Sequence, residues 1–208
     1  MSATLHVNDA QSHDGRGPGA GGGARTPPVR WGLLALAALL VASMFYLGVR
    51  YDLQRVESSS MAPTMTSGDL ILVDRSAYDN APIERGDMVV FADPGGWAGN
   101  DPLRMNASNE LFVKRVIGIG GDHVSCCDAD QNLTVNGDVV DEAYLPQPVT
   151  RQGLGTNANV PEERLWVMGD NRSSSIDSRH LLSSSSLGYV SEENVIGRVV
   201  LTIPFFGS

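Results

Sequence analysis

The hydrophobic pattern divides the chain into a polar leader, one long apolar run and a series of short apolar runs. Residues 1–30 contain the glycine-rich stretch GRGPGAGGGARTPP and almost nothing apolar, which predicts a disordered tail. Residues 31–49 carry no charge and lie between Arg30 and Arg50. A helix of this length, at about 1.5 Å per residue, just crosses the hydrocarbon core of a bilayer. The pattern therefore predicts a single transmembrane helix over residues 31–49.

A cleaved secretory signal is the alternative interpretation of this apolar run. The run is longer than the roughly 7 to 15 apolar residues of such signals, and the leader before it is long and sparsely basic. These features favour an uncleaved signal anchor. Arginines stand on both sides of the run, so the positive-inside rule decides the orientation only by a thin margin. Because a large acidic domain follows, we expect the N-terminus inside the cell and the domain outside.

After Arg50 the pattern changes to short apolar runs separated by turn residues, with no stretch of helical period. The Asn136-Gly137 pair is a strong signal for a two-residue hairpin turn. A mostly β domain is predicted over residues 51–208. Its six predicted strands are DLILVDR (69–75), DMVVF (87–91), LFVKRVIGI (111–119), LTVNGDVV (133–140), RLWVMG (164–169) and VIGRVVLTI (195–203).

Two long polar segments, 91–110 and 143–163, are predicted to be irregular. The first contains an isolated aromatic residue, Trp97. Its side chain either dips into a membrane interface or packs as an ordinary buried tryptophan.

The charge of the predicted β domain limits its partners. Residues 51–208 contain 11 Lys+Arg against 22 Asp+Glu, a formal charge of −11. Nucleic-acid binders need basic faces, so this balance argues against a nucleic-acid partner. The two cysteines, Cys126 and Cys127, are adjacent, and no cluster of metal-ligand spacing accompanies them. They form either a vicinal disulfide or a reduced pair, and no metal or cofactor is expected.

Three consecutive serines, Ser58 to Ser60, directly follow Glu57, and a hydroxyl becomes a nucleophile only beside a base. His180 with Asp177 could complete a Ser-His-Asp triad, but neither His180 nor His123 lies in a predicted strand. Lys114 lies inside the apolar strand LFVKRVIGI. Burial would lower its pKa and allow a neutral amine to act as a general base. The alternative is an ordinary surface lysine on an edge strand.

Four segments of the chain resemble, in order and approximate spacing, the boxes that characterise bacterial type I signal peptidases. The resemblance covers about residues 56–203. It implies a mostly β, membrane-associated serine protease of peptidase family S26 with a Ser/Lys dyad. The segments are SSSMAPTM (58–65), GDLILVDR (68–75) followed by RGDMVVF (85–91), FVKRVIGIGGD (112–122) and MGDNRSSSIDSR (168–179).

The resemblance implies roles for individual side chains, carried over position by position. Ser60, directly before Met61, is expected to be the nucleophile and Lys114 the general base. Ser58 and the backbone N–H of Ser60 are expected to form the oxyanion hole. Ser175 is expected to hydrogen-bond to Lys114 and orient it, and Asp177, Arg179 and Asp170 are expected to support the site structurally.

The match departs from the family pattern at two places beside these residues. Ser173-Ser174 stands where the family often has Asp-Asn, and Ile119-Gly120 stands where Leu-Pro is usual. These departures put the rigidity of the two loops in question more than the identity of the site.

The implied substrates are exported preproteins whose signal peptides end in small residues. The implied location is the plasma membrane, crossed once with the N-terminus cytoplasmic, where the enzyme contacts the lipid bilayer and acts as a monomer. Two alternatives remain. One is a membrane-anchored, non-catalytic β domain that binds envelope partners. The other is a self-cleaving repressor with a related Ser/Lys arrangement, but such repressors need a basic helix-turn-helix module that this chain lacks.

Overall fold

The fold was obtained as a computed structural model, which describes residues 28–94, 97, 110–128, 130, 132–145, 156–182 and 186–205. The predicted disordered tail, residues 1–30, lies outside the described residues except for its last three positions. The chain divides into two compact units, residues 1–42 and 43–208.

The apolar run forms one long helix, α1, over Pro28–Arg50. The stretch Arg30–Arg50 is strongly apolar, and its most apolar 18 residues are exposed in this structure. Alanine and leucine favour the helix, and an apolar surface on all sides suits a lipid environment. By length and composition the helix can span a membrane. The predicted span 31–49 lies entirely within it.

In the rest of the described chain the regular secondary structure consists of antiparallel strands in two sheets and one 3-10 helix, Glu192–Asn194. A seven-stranded sheet has the order β1-β2-β11-β3-β4-β9-β10, and a four-stranded sheet has the order β7-β6-β5-β8. The strands are β1 (Tyr51–Arg55), β2 (Leu70–Asp74), β3 (Met88–Ala92), β4 (Leu111–Gly118), β5 (His123–Cys126), β6 (Leu133–Val135), β7 (Asp138–Val139), β8 (Asn157–Asn159), β9 (Arg164–Met168), β10 (Val190–Ser191) and β11 (Val195–Ile203).

The two sheets share a core where β4 leads into β5. Trp166 of the large sheet and Leu133 of the small sheet are both fully buried in one apolar cluster. A second cluster packs Phe91 and Val116, and a third packs Met61 against side chains of β2, β3 and β11. Because β4 contributes to more than one cluster, the strand that carries Lys114 is held from several sides.

All six predicted strand segments contain strands, and the mostly β fold is confirmed. The predicted segment 133–140 is two strands, since Asn136 and Gly137 turn the chain with φ of 55° and 90°. Both central residues of a type I′ hairpin need positive φ, which asparagine and glycine tolerate.

Four strands were not predicted: β1, β5, β8 and β10. Each is short or polar, so its alternation is weak. His123 is the first residue of β5, and β8 lies inside a segment predicted to be irregular. His123 therefore lies in a strand, contrary to expectation. The expectation that residues 143–163 are irregular is wrong at Asn157–Asn159.

The structure defines the surroundings of Trp97 and the state of the two cysteines. Trp97 is 4% exposed and packs edge-on against Phe91 and against Phe112, which makes it a buried core residue. Cys126 and Cys127 are joined by a disulfide.

Candidate active site

The side chains of Ser60 and Lys114 meet although 54 positions separate them in the chain. The distance from Lys114 Nζ to Ser60 Oγ is 2.9 Å. Lys114 is 4% exposed and Ser60 9% exposed. Lys114 Nζ also lies 3.1 Å from the carbonyl oxygen of Val113. A buried amine is therefore within hydrogen-bonding distance of a hydroxyl, the arrangement in which it can take the proton of that hydroxyl.

Ser60 lies in a tight turn between β1 and β2. Met61 and Met65, buried to within 1% exposure, anchor the turn in the core, and the backbone N–H of Met65 donates to the carbonyl of Met61 at 3.0 Å. The hydroxyl of Ser58 lies 3.2 Å from the Ser60 hydroxyl. The small side chains of this segment leave space in front of Ser60, and the two methionines fix its backbone.

Burial sets the protonation of Lys114. The lack of water around the amine lowers the pKa of Lys114 to about 8, and the carboxylates of Asp177 and Asp170 oppose that shift. Loss of hydration disfavours the charged form, whereas nearby negative charge favours it. A substantial fraction of Lys114 is thus neutral slightly above neutral pH, as a general base requires.

The loop after β9, residues 169–179, closes one side of the site. Asp177 binds the guanidinium of Arg179 with two contacts of 2.7 Å and accepts the backbone N–H of Gly169 at 3.0 Å. Burial alone would raise the pKa of Asp177, but hydrogen bonds from Arg179 and His180 hold it well below its usual range. Asp177 therefore stays negative and fixes both ends of the loop.

Ser175 is buried at 4% exposure, in the loop that lies against the turn carrying Ser60. Its Oγ has no hydrogen-bond partner among the described residues, so the expected hydrogen bond to Lys114 is absent from this structure. A Cβ added to Gly169 would clash with Ser175 Oγ and with the carbonyl oxygen of Ser60. Glycine at position 169 allows this loop to lie against the turn that carries Ser60, residues 58–65, which is called the serine turn below.

Asp170 links the serine turn to the strand that carries Lys114. Its carboxylate accepts hydrogen bonds from Arg115 at 2.9 and 2.7 Å and from the hydroxyl of Thr64 at 2.6 Å. The side chain of Asp170 is fully buried, and the side chain of Arg115, its ion-pair partner, is 12% exposed. Sequence reasoning named Asp170 but missed Thr64 and Arg115 as its partners.

Asn171 was also missed as a residue that contacts the serine turn. Its backbone N–H donates to the carbonyl oxygen of Ser60 at 3.0 Å, and its side-chain amide donates to the carbonyl oxygen of Ser59 at 3.1 Å. Its place in the Gly-Asp-Asn-Arg sequence was the only available signal, because the contact spans 112 positions.

The two departures from the family pattern are accommodated by local contacts. Ser173 Oγ donates to Asn171 Oδ1 at 3.1 Å, and the backbone N–H of Ser174 donates to the Asn171 carbonyl at 3.1 Å. Gly120 lies where a Cβ would come within 3.1 Å of Glu162. Both loops are therefore ordered by hydrogen bonds or close packing with the residues that this chain has.

The alternative triad does not form. His180 Nδ1 lies 3.5 Å from Asp177 Oδ1, but the His180 side chain is half exposed. In the described part of the chain, the hydroxyl of Ser60 contacts Lys114 and Ser58, and no contact joins it to His180. No group of three or more His, Cys, Asp or Glu among the described residues is arranged to hold a metal ion.

A groove of about 430 Å³ opens in front of the dyad. One wall comes from the end of β1 and the serine turn, and the other from the start of β4. The lining residues are Gln54, Arg55, Val56, Glu57, Ser58, Ser60, Met61, Ile71, Glu110, Leu111, Phe112, Val113 and Lys114.

Residues 29–204 match the family model described as signal peptidase, peptidase S26. The chain belongs to this family. It is 31% identical to a probable signal peptidase I of Mycobacterium leprae, over 81% of this chain and 74% of that protein. It is 32% identical to signal peptidase I U of Bacillus subtilis, over 84% of this chain and 88% of that protein. The S26 peptidase described here is thus a serine peptidase that removes signal peptides.

A solved signal peptidase I from Enterococcus faecalis matches 58% of this chain and 98% of its own, with 24% sequence identity and a TM-score of 0.42. For this S26 peptidase, the relatives favour the catalytic interpretation over a non-catalytic β domain. Signal-peptide-bearing preproteins are its substrate class.

Proposed function

We propose that Ser60 and Lys114 are the nucleophile and the general base with which this chain cleaves signal peptides from preproteins. The observation that carries the proposal is the 2.9 Å distance between Lys114 Nζ and Ser60 Oγ in a buried environment. The lowered pKa of Lys114, about 8, supports it, because a base with a pKa near the working pH transfers protons most effectively.

In the first step, neutral Lys114 takes the proton of Ser60, and Ser60 Oγ attacks the scissile carbonyl carbon. The carbonyl oxygen becomes an oxyanion, which the backbone N–H of Ser60 and the hydroxyl of Ser58 stabilise. A well-placed donor of this kind contributes about 3 to 4 kcal/mol. The tetrahedral intermediate collapses as the Lys114 ammonium gives its proton to the departing amine. An ester between Ser60 and the signal peptide remains.

In the second step, Lys114, neutral again, takes a proton from a water molecule that attacks the ester carbonyl. The new oxyanion occupies the same pair of donors. When this intermediate collapses, Ser60 Oγ leaves and recovers its proton from Lys114. The cleaved signal peptide departs with a free carboxylate, and the chain needs no metal or cofactor for either step.

The groove favours an extended peptide as substrate. β1 is an edge strand of the large sheet as far as the described residues show, so one side of its backbone is available for pairing. A peptide added along this edge would be held by main-chain hydrogen bonds, and shallow pockets would admit small side chains. Glu57 and Glu110 line the two walls. This arrangement fits the binding of an extended peptide.

An exposed apolar face supports contact of the domain with the bilayer. Leu53 of β1 and Leu201 of β11 both pair with Leu72 of β2, and they are 56% and 51% exposed. Ile203 and Phe205 extend this face at 44% and 60% exposure. Contiguous exposed apolar surface marks interaction with proteins or membranes. We place the enzyme in the plasma membrane, as a monomer, with the N-terminus cytoplasmic and the β domain outside.

Two experiments test the proposal. The detergent-solubilised chain should cut a model preprotein whose signal peptide ends in A-x-A, and Ser60→Ala should abolish that cleavage while leaving the domain folded. Normal cleavage by Ser60→Ala would overturn the assignment of the nucleophile. For the orientation, a protease added outside intact cells should digest the β domain, and full protection would contradict an external domain.

A further inference from the structure

One short segment that follows strand β7 of the small sheet touches two buried ion pairs beside the candidate active site. This brace segment, residues 141–145, follows β7 and carries Glu142 and Tyr144. Glu142 Oε1 pairs with Arg172 Nη1, and each side chain is 4% exposed. Arg172 Nη2 donates to the Tyr144 hydroxyl at 3.2 Å. The ring of Tyr144 faces the guanidinium of Arg115, with 4.0 Å from Cζ to the ring centroid.

Arg172 connects the brace segment to Asp177. Arg172 Nε donates to the carbonyl oxygen of Gly169 at 3.0 Å. The carbonyl oxygen of Arg172 accepts from Arg179 Nη2 at 3.1 Å, and the guanidinium of Arg179 binds Asp177. A displaced Arg172 would therefore loosen the loop at both Gly169 and Arg179.

Arg115 connects the same segment to Asp170. Its guanidinium lies between the ring of Tyr144 and the carboxylate of Asp170, which also holds Thr64 of the serine turn. A cation is attracted to an aromatic face, and the planar guanidinium can stack on the ring while it binds the carboxylate from its edge. Tyr144 thus touches Arg115, the partner of Asp170, and Arg172, which reaches Asp177 only through Arg179.

We propose that Glu142 and Tyr144 are positioning residues for the serine–lysine reaction, which hold the 169–179 loop closed over Ser60 and Lys114 through Arg172 and Arg115. The inference rests on the proposed function, since it presumes that these two residues form the dyad. Neither Glu142 nor Tyr144 lines the groove in front of the dyad, so their effect reaches the chemistry through other residues.

The water-excluded setting of Lys114 gives this proposal a specific consequence. Burial is the largest influence on the pKa of Lys114, and the charges that act against it come from Asp177 and Asp170 on the loop. The other charged residues that line the groove with Lys114 are Arg55, Glu57 and Glu110. If the loop opens, water reaches the amine, and the pKa of Lys114 rises towards that of a free lysine.

The test compares Glu142→Ala with Glu142→Gln in the full chain, with a model preprotein as substrate. Glu142→Ala leaves Arg172 without its buried acceptor and should lower kcat about 10- to 100-fold, with KM nearly unchanged. It should also move the rising limb of kcat/KM against pH upward by at least about half a pH unit. Glu142→Gln keeps an oxygen acceptor for Arg172 and should restore most of the activity.

Leu133→Ala serves as the control for simple destabilisation, because Leu133 is fully buried in the apolar cluster that the two sheets share and is a member of neither ion pair. This variant should have a lower melting temperature but the same rising limb of kcat/KM against pH as the wild type. If Glu142→Ala does not fold, the double variant Glu142→Gln with Tyr144→Phe replaces it in the test. We expect this double variant to have a lower kcat and a rising limb of kcat/KM that is shifted to higher pH.

If Glu142→Ala or the double variant has the kcat of the wild type and the same rising limb of kcat/KM against pH, Glu142 and Tyr144 are not positioning residues. An equal shift in Leu133→Ala would also overturn the positioning role. Activity in Ser60→Ala would instead contradict the proposed function, so the two failures are distinguishable.

Discussion

The backbone N–H of Asn171 donates a hydrogen bond to the carbonyl oxygen of Ser60 at 3.0 Å. The Asn171 side chain adds a second hydrogen bond, to the carbonyl oxygen of Ser59 at 3.1 Å. The 169–179 loop is therefore tied directly to the backbone of the proposed nucleophile. The position of the Ser60 hydroxyl depends on this loop as well as on the turn in which Ser60 lies.

Asn171→Ala should reduce the rate of preprotein cleavage about three- to tenfold. The substitution removes the side-chain hydrogen bond to Ser59 but keeps the backbone one to Ser60, and a single such hydrogen bond contributes about 0.5 to 1.5 kcal/mol. Steady-state kinetics would measure the loss. Ser173→Ala is the matched control, since it removes only the bond from Ser173 to the Asn171 side chain. An equal or larger loss in the control would contradict this account of Asn171.

Gly169→Ala should lower kcat by about 100-fold while the β domain remains folded. The new methyl group would meet the carbonyl oxygen of Ser60 and the hydroxyl of Ser175, so the loop and the serine turn must separate. Kinetics together with circular dichroism would check both parts. The same substitution at Gly48, where a Cβ has no neighbour within 4 Å, should leave kcat near the wild-type value. Wild-type kcat in Gly169→Ala would show that the close approach is not needed.

Asp177→Asn should destabilise the domain by about 3 to 5 kcal/mol at neutral pH, because it leaves Arg179 buried without a counter-charge. The folded-state pKa of Asp177 is lowered from 3.8. Its contribution to stability is therefore complete above that value and is lost as pH falls below it. Denaturant unfolding at pH 7 and near pH 3 would measure the difference between wild type and variant. A difference that does not shrink at the lower pH would contradict the ion-pair explanation.

Much of the fold was predictable because its strands carry strong local signals. The β11 segment was predicted with its observed bounds, and the Asn136-Gly137 turn was predicted from residue type alone. Strand β1 was missed, because YDLQR has only one strongly apolar residue and directly follows the long helix. β5 and β8 were missed since they are short and gain their order from pairing with each other.

The candidate site was predictable only in part, for a similar reason. Lys114 stood out as a lone lysine in an apolar strand, and Ser60 stood out through its motif. The contacts of Thr64 with Asp170 and of Glu142 with Arg172 join residues 106 and 30 positions apart. No local pattern marks such partners. Ser175 shows the converse, because the resemblance implied a hydrogen bond to Lys114 that this structure does not contain.

The pH dependence of kcat/KM for preprotein cleavage, measured for the wild-type chain and for Lys114→Ala, tests the central claim most directly. This quantity reports the pKa of the base in the free enzyme. We predict a rising limb centred near pH 8 for the wild type, in line with the lowered pKa of Lys114, and no cleavage by Lys114→Ala. Cleavage by Lys114→Ala with the same pH limb would contradict the Ser60–Lys114 dyad.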